Sequence, residues 1–250
     1  MRTVLMVFAA SLALLAGSAR AAAVDMEVAL DVGYVPERVH GSASSPIPGA
    51  TTPDGRPAGV LGDGSFGVSG AAVGGNAALM LPNFGPGLPR MFFFVDAMLF
   101  LARKGDGRFN LYDTTPGAMD TAITLKRNFA VDLALGGIFP LCREPTCLDL
   151  RIFLGATFLH QTITTAVDES TVGGKREELS GSKLKPSAFL GTLVSVPITR
   201  SLRLQLGVLF RALSTVAATT TSAGGRTYTT TIDGGVETQL TAGLALPFSF

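Results

Sequence analysis

The chain has no tryptophan, two cysteines, two histidines and three tyrosines in 250 residues. With so few Trp and Tyr, any aromatic girdle at a membrane surface would rest mainly on its 16 phenylalanines. Charged residues make up only 16%, against roughly 25% in ordinary soluble domains. The 20 Lys and Arg balance 19 Asp and Glu and form no basic stripe, which argues against nucleic-acid binding. Beyond the N-terminal region no run reaches the roughly 18 apolar residues of a transmembrane helix. Met91 to Ala102 comes nearest, but it is too short and Asp96 interrupts it. Nor is there a phosphate loop, because no G-K-[ST] follows the glycines between Gly67 and Gly75. Cys142 and Cys147 have no histidine nearby, and two ligands are too few for a metal centre. No metal and no cofactor is expected.

The N-terminus reads as a secretory signal. Arg2 supplies the positive start, Val4 to Leu15 the apolar run, and Ala19-Arg20-Ala21 a small-x-small cleavage site, with an alternative after Ala21-Ala22-Ala23. No cysteine sits at the cleavage site, which argues against a lipoprotein. Residues 1–22 are assigned to the signal and 23–250 to one domain. In an oxidising compartment Cys142 and Cys147 are expected to pair, closing a small ring that contributes roughly 2 kcal/mol. Hydrophobic residues are 47% and mean hydropathy is +0.40. An exported, hydropathic chain with no spanning helix leaves a sandwich or a membrane barrel.

Period-2 alternation marks the strands. Met26 to Tyr34 sets Met26, Val28, Leu30, Val32 and Tyr34 against Glu27, Ala29, Asp31 and Gly33. Further strands are expected over Phe66–Leu81, Met91–Arg103, Ala122–Phe139, Leu148–Phe158, Lys185–Val196, Leu202–Phe210 and Ile232–Phe250. In the last, the even positions from Ile232 to Phe250 are almost wholly apolar, while Asp233 and Glu237 lie opposite. Alternate connections are long and polar: 36–64, 104–119, 161–184 and 214–229. Those between them, 82–89, 140–147 and 197–200, are short. The threonines of 219–221 and 229–231 suit strand extensions beyond a membrane, because Thr is β-branched yet polar.

Short periplasmic turns against long outer loops are the signature of an up-and-down transmembrane barrel. The expected fold is therefore all-β and antiparallel, with eight strands; a hairpin within 36–64 would make ten. The apolar faces meet lipid. The opposite faces place Glu27, Asp31, Asp96, Asp132, Asp149, Arg151, Arg203 and Glu237 in the lumen, where Arg151 and Arg203 are expected to bridge several carboxylates, with acid in excess. Eight strands leave an interior just wide enough for side chains, so this network reads as a plug or as a narrow cation-preferring path. The tyrosines Tyr34, Tyr112 and Tyr228 are expected at or beyond the outer strand ends.

The final ten residues, with Leu240, Leu244, Leu246, Phe248 and Phe250 on one face and Gly243 between them, resemble the closing strand of bacterial outer-membrane barrels. The resemblance implies that Leu244, Leu246, Phe248 and Phe250 are read by the barrel-assembly machinery. The whole chain resembles small eight-stranded barrels of the OmpA-barrel, OmpX and opacity-protein type. That implies a Gram-negative outer-membrane location, contact with membrane lipid and lipopolysaccharide, a monomer, and an extracellular ligand held by the outer loops. Some such barrels modify lipid A, and the deacylase type pairs His and Ser two apart on a strand. Here His160 is followed by Thr162 where that type has Ser, with Asp168 or Glu169 as the acid. The simpler reading is that His160 caps a strand at the interface. A structural or surface-interaction role is therefore expected, with a small channel and a lipid-modifying enzyme as the competing classes.

Overall fold

The computed structural model describes residues 25–45, 60–82, 85, 88–101, 103–112, 118–141, 148–168, 176–221 and 227–249. They are built of strands: β1 (Asp25–Val35), β2 (Arg38–Ser44), β3 (Val60–Gly67), β4 (Gly70–Met80), β5 (Arg90–Leu101), β6 (Lys104–Tyr112), β7 (Ala118–Pro140), β8 (Asp149–Asp168), β9 (Arg176–Thr199), β10 (Leu202–Leu213), β11 (Val216–Thr221), β12 (Thr227–Ile232) and β13 (Gly235–Ser249). Eight of these form a closed antiparallel ring in the order β1-β4-β5-β7-β8-β9-β10-β13. The ring shuts where β13 pairs β1, from Asp25↔Ser249 to Tyr34↔Leu240.

The other five strands lengthen this ring. β2, β3, β6, β11 and β12 continue β1, β4, β5, β10 and β13 past breaks of two residues each. β7, β8 and β9 run through both levels without a break, at 23, 20 and 24 residues. β2 pairs both β3 and β12, β6 pairs both β3 and β7, and β11 pairs β12. Twenty residues of strand at roughly 3.3 Å each, tilted by roughly 40°, rise about 50 Å. The apolar band of an outer-membrane barrel is only about 25 Å tall. Half of the barrel therefore stands clear of the hydrocarbon.

The two halves have opposite polarity. Along β1 and β2 the outward residues are Met26, Val28, Leu30, Val32 and Tyr34, followed by Arg38, His40, Ser42 and Ser44. The inward ones are Glu27, Ala29, Asp31 and Val35, then Val39 and Ala43. β8 repeats the change: Ile152, Leu154 and Phe158 give way outside to His160, Thr162 and Thr164, while Arg151 and Thr157 give way inside to Leu159 and Ile163. The outer tier thus encloses an apolar core of Val39, Phe66, Val68, Ile123, Leu125, Ile163, Val216, Tyr228 and Ile232. It packs as a water-soluble barrel does; the lower tier packs as a lipid-facing one does.

Several expectations change. The described parts of 36–64, 104–119, 161–184 and 214–229 are mostly strand rather than loop, because above the membrane inward residues have an apolar core to join. A hairpin does lie within 36–64, formed by β2 and β3, but it extends existing staves and the count stays at eight. Ile232 does not share the lipid face of β13: it is 2% exposed inside the outer tier, whereas Val236 is 72% exposed on the outside. The break at Asp233 and Gly234 shifts the alternation by one residue. A register shift between Arg127 and Phe129 does the same in β7, where Asn128 bonds to the outward-facing Thr162. Tyr34 stands half-exposed at the top of the belt, but Tyr228 is fully buried in the outer core.

Opposite substitutions should therefore be tolerated at the two levels. Leu206→Arg, on the lipid face, is expected to cost about 2–4 kcal/mol of folding free energy. Thr164→Arg, outward in the outer tier, should cost within about 0.5 kcal/mol. Urea titration of vesicle-folded protein, read by the heat-dependent gel shift, compares the two directly.

Candidate functional site

The inward side chains of the membrane tier form two ionic clusters separated by a layer of aromatic rings. At the periplasmic end, Arg151 forks onto Glu27, with Nη1–Oε1 at 2.6 Å and Nη2–Oε2 at 2.9 Å. Its Nε donates to Asp149 at 3.0 Å, and Arg203 Nη2 donates to the other Asp149 oxygen at 2.5 Å. Arg203 Nε donates to Ser195 Oγ at 2.7 Å, and Gln205 donates to Glu27. Above this lie Phe92, Phe94, Phe153 and Phe189, with Phe94 and Phe153 centroids 4.6 Å apart.

The second cluster sits under the outer tier and centres on Arg211. Its guanidinium donates to Asp132 at 2.5 Å, to Glu237 at 2.7 Å and to Gln239 at 2.5 Å. Glu237 also accepts from Arg103 at 2.8 Å. Arg103 reaches Glu37 at 2.5 Å, and Arg127 reaches the other Glu37 oxygen at 2.7 Å. Arg103 also lies 4.6 Å over the Phe100 ring, which offers its electron-rich face to the cation. The network ties Arg127 and Asp132 of β7, Arg211 of β10, Glu237 and Gln239 of β13, Glu37 from the break between β1 and β2, and Arg103 from the break between β5 and β6.

Seven carboxylates (Glu27, Asp31, Glu37, Asp96, Asp132, Asp149 and Glu237) face five guanidiniums (Arg103, Arg127, Arg151, Arg203 and Arg211). Asp31 and Asp96 lie outside the ion pairs found among the described residues. Asp31 accepts from Asn76, and Gly243 makes room for it, since a Cβ there would collide with its carboxylate. Asp96 faces Asp132 across the β5–β7 ladder, and its Oδ1 has no hydrogen-bond partner among the described residues.

Outside, the same tier exposes Leu30, Val32, Leu133, Leu135, Leu154, Leu190, Leu206, Phe210, Leu240 and Leu244 around its circumference. No water-facing surface of a soluble monomer carries so continuous an apolar belt. A closed ladder with charge inside and this belt outside has one compatible solvent. The chain is an eight-stranded β-barrel of the outer membrane.

The eight lumen residues named from the sequence all point inward, but they are not one network. Among the described carboxylates, Arg151 and Arg203 engage Glu27 and Asp149 alone. Asp132 and Glu237 belong to Arg211, which sequence reasoning missed along with Arg103, Arg127 and Glu37. Extending the inward odd positions of Leu202–Phe210 by one step would have found Arg211. Extending those of Met26–Tyr34 would have found Glu37. Arg103 and Arg127 lie beside phase shifts that no alternation reveals.

His160 lies on the outward face at the interface. It stacks on Phe129 at 5.0 Å, and its Nδ1 is 3.0 Å from Asn128 Nδ2. Thr162 shares a hydrogen bond with Ser182 at 3.2 Å. Asp168 is eight residues farther along β8, about 26 Å at roughly 3.3 Å per residue, and Glu169 lies outside the described residues. No acid reaches His160 among the described residues, so His160 and Thr162 do not form a hydrolase triad with Asp168. Leu244, Leu246 and Phe248 face outward on the closing strand, while Phe250, Cys142 and Cys147 and the whole of residues 1–22 lie outside the described residues.

No protein-family model matches the chain, and no curated protein sequence matches it. Among solved structures, the outer membrane protein OprG from Pseudomonas aeruginosa is 12% identical over 90% of this chain and 95% of its own, with a TM-score of 0.49. The outer membrane protease OmpT from Escherichia coli is 13% identical over 90% and 97%, at 0.47. A major outer membrane protein from Thermus thermophilus is 13% identical over 89% and 99%, at 0.40. The membrane placement of this chain rests on its own belt and closed ladder.

The Arg211 cluster should dominate the stability of the barrel. Arg211→Met leaves Asp132 and Glu237 short of a buried cation and is expected to cost about 3–5 kcal/mol. Adding Asp132→Asn should return most of that, because Glu237 keeps Arg103 and Glu37 keeps Arg127, so no charge of the cluster is left unpaired. Unfolding midpoints of the single and double variants in detergent measure both steps.

Proposed function

We propose that the barrel is a sealed surface protein that acts through its raised outer tier rather than as a pore or a hydrolase. The observation that carries this reading is the apolar core closing the outer end of the lumen. Ile123, Leu125, Ile163 and Tyr228 are almost completely buried there, directly above the Arg211 cluster. An ion crossing it would leave water for a packed apolar layer, at a cost of many kcal/mol.

The exterior of the tier supports the same reading. Its outward positions on β8, β9, β11 and β12 are rich in hydroxyls, paired across strands: Thr164 with Ser180 at 2.9 Å, and Thr219 with Thr229 at 3.3 Å. Such a rigid, largely uncharged hydroxyl surface suits contacts with polar ligands outside the cell. Barrier and platform are then two faces of one fold, a buried apolar core and a wetted shell. The refolded chain in planar bilayers is expected to give no conductance steps in concentrated KCl. Discrete steps would instead favour the narrow-channel reading.

A further inference from the structure

The barrel wall carries a notch of about 300 Å3 where its outer surface changes from apolar to polar. The notch lies beside the breaks between β1 and β2 and between β12 and β13. Arg38, His40 and Ser65 line its outer side; Leu213 and Val236 line its membrane side. Asp233 contributes the acidic group of the rim, and its backbone N–H donates to His40 O at 2.9 Å. His40 is already engaged, with Nε2 3.3 Å from Asp63 and Nδ1 3.4 Å from Ser65. Arg38 is exposed and makes no ion pair or hydrogen bond among the described residues. Its guanidinium is thus free at a formed concavity. Directly below run Val236, 72% exposed, and Leu240, half-exposed, on the lipid-facing side of β13.

We propose that this notch binds the phosphate of an outer-leaflet lipid of the lipopolysaccharide class. The Arg38 guanidinium grips two phosphate oxygens, and an acyl chain lies along Val236 and Leu240. A guanidinium presents a planar fork that matches phosphate geometry, and its weak hydration suits an interface. The apolar track below distinguishes a lipid from a free anion, since only a lipid has a chain to lay along it. The level fits as well. The belt ends at Tyr34 and Arg38 follows four residues later, where headgroup phosphates lie. The same level carries Lys104 and Lys126 opposite one another on β6 and β7, Lys104 paired with Asp106 at 3.4 Å. The site does not depend on the sealed-barrel reading, since a conducting barrel would carry the same notch.

The test uses the full refolded chain in detergent, with native mass spectrometry reading retained lipid. The probes are bisphosphorylated lipid A, its dephosphorylated form and inorganic phosphate as competitor. One lipid A per chain is expected. Arg38→Ala should weaken retention roughly tenfold or more, the effect of losing a charge-assisted pair. Lys126→Ala should change it less than about threefold. Both positions are exposed, and the heat-dependent gel shift verifies that each variant is folded. Equal retention by Arg38→Ala, equal retention of the dephosphorylated lipid, or displacement by inorganic phosphate would each overturn the proposal.

Discussion

In hydrocarbon a backbone N–H or C=O without a partner costs several kcal/mol, so every strand entering the bilayer needs a neighbour on both sides. The ladder between β1 and β13 meets that demand by joining the two ends of the described chain. Closure then sets the rest. Eight strands leave a lumen only as wide as its side chains, and alternation assigns every second residue to it. Charges placed there have no bulk water to turn to, and all of those described except Asp31 and Asp96 are held in ion pairs. Arg151 and Arg203 hold the periplasmic end, and Arg211, Arg103 and Arg127 hold the outer end.

Above the membrane the demand disappears and the same ring obeys the opposite rule. Water now lies outside, so hydroxyls and lysines turn outward and Leu125, Ile163 and Ile232 turn inward. On the β1–β2 stave the switch falls between Tyr34 and Arg38. On β8 it falls between Phe158 and His160, without any break in the strand. The bilayer boundary is thus written as an exchange of faces rather than as an end of secondary structure. The apolar outer core, the hydroxyl-bearing exterior and the interfacial notch all follow from where that exchange occurs.

The membrane tier was legible because its rule is local. In Met26–Tyr34, Leu148–Phe158 and Leu202–Phe210 the alternation alone separates lipid-facing from lumen-facing residues. The outer tier was not, because its strands are short, small-residued and rich in Gly, Ser and Thr, which carry little intrinsic strand preference beyond Thr itself. They pair only because neighbours already form the ring. Phase shifts hid the rest. Ile232 and Val236 are both even-numbered, yet the break at Asp233 and Gly234 sends them to opposite sides of the wall. Arg103 and Arg127 fell at such places, where a pattern of period two changes step.

The most direct measurement of the exchange of faces is the depth of spin labels along the outward side of β8. Single labels at Leu154, Phe158, Thr162 and Thr164 in the membrane-folded protein report collisions with oxygen, which concentrates in lipid, and with a water-soluble nickel complex. The account predicts oxygen-dominated relaxation at 154 and 158 and nickel-dominated relaxation at 162 and 164. Oxygen-dominated relaxation at all four positions would place the outer tier inside the bilayer and contradict it.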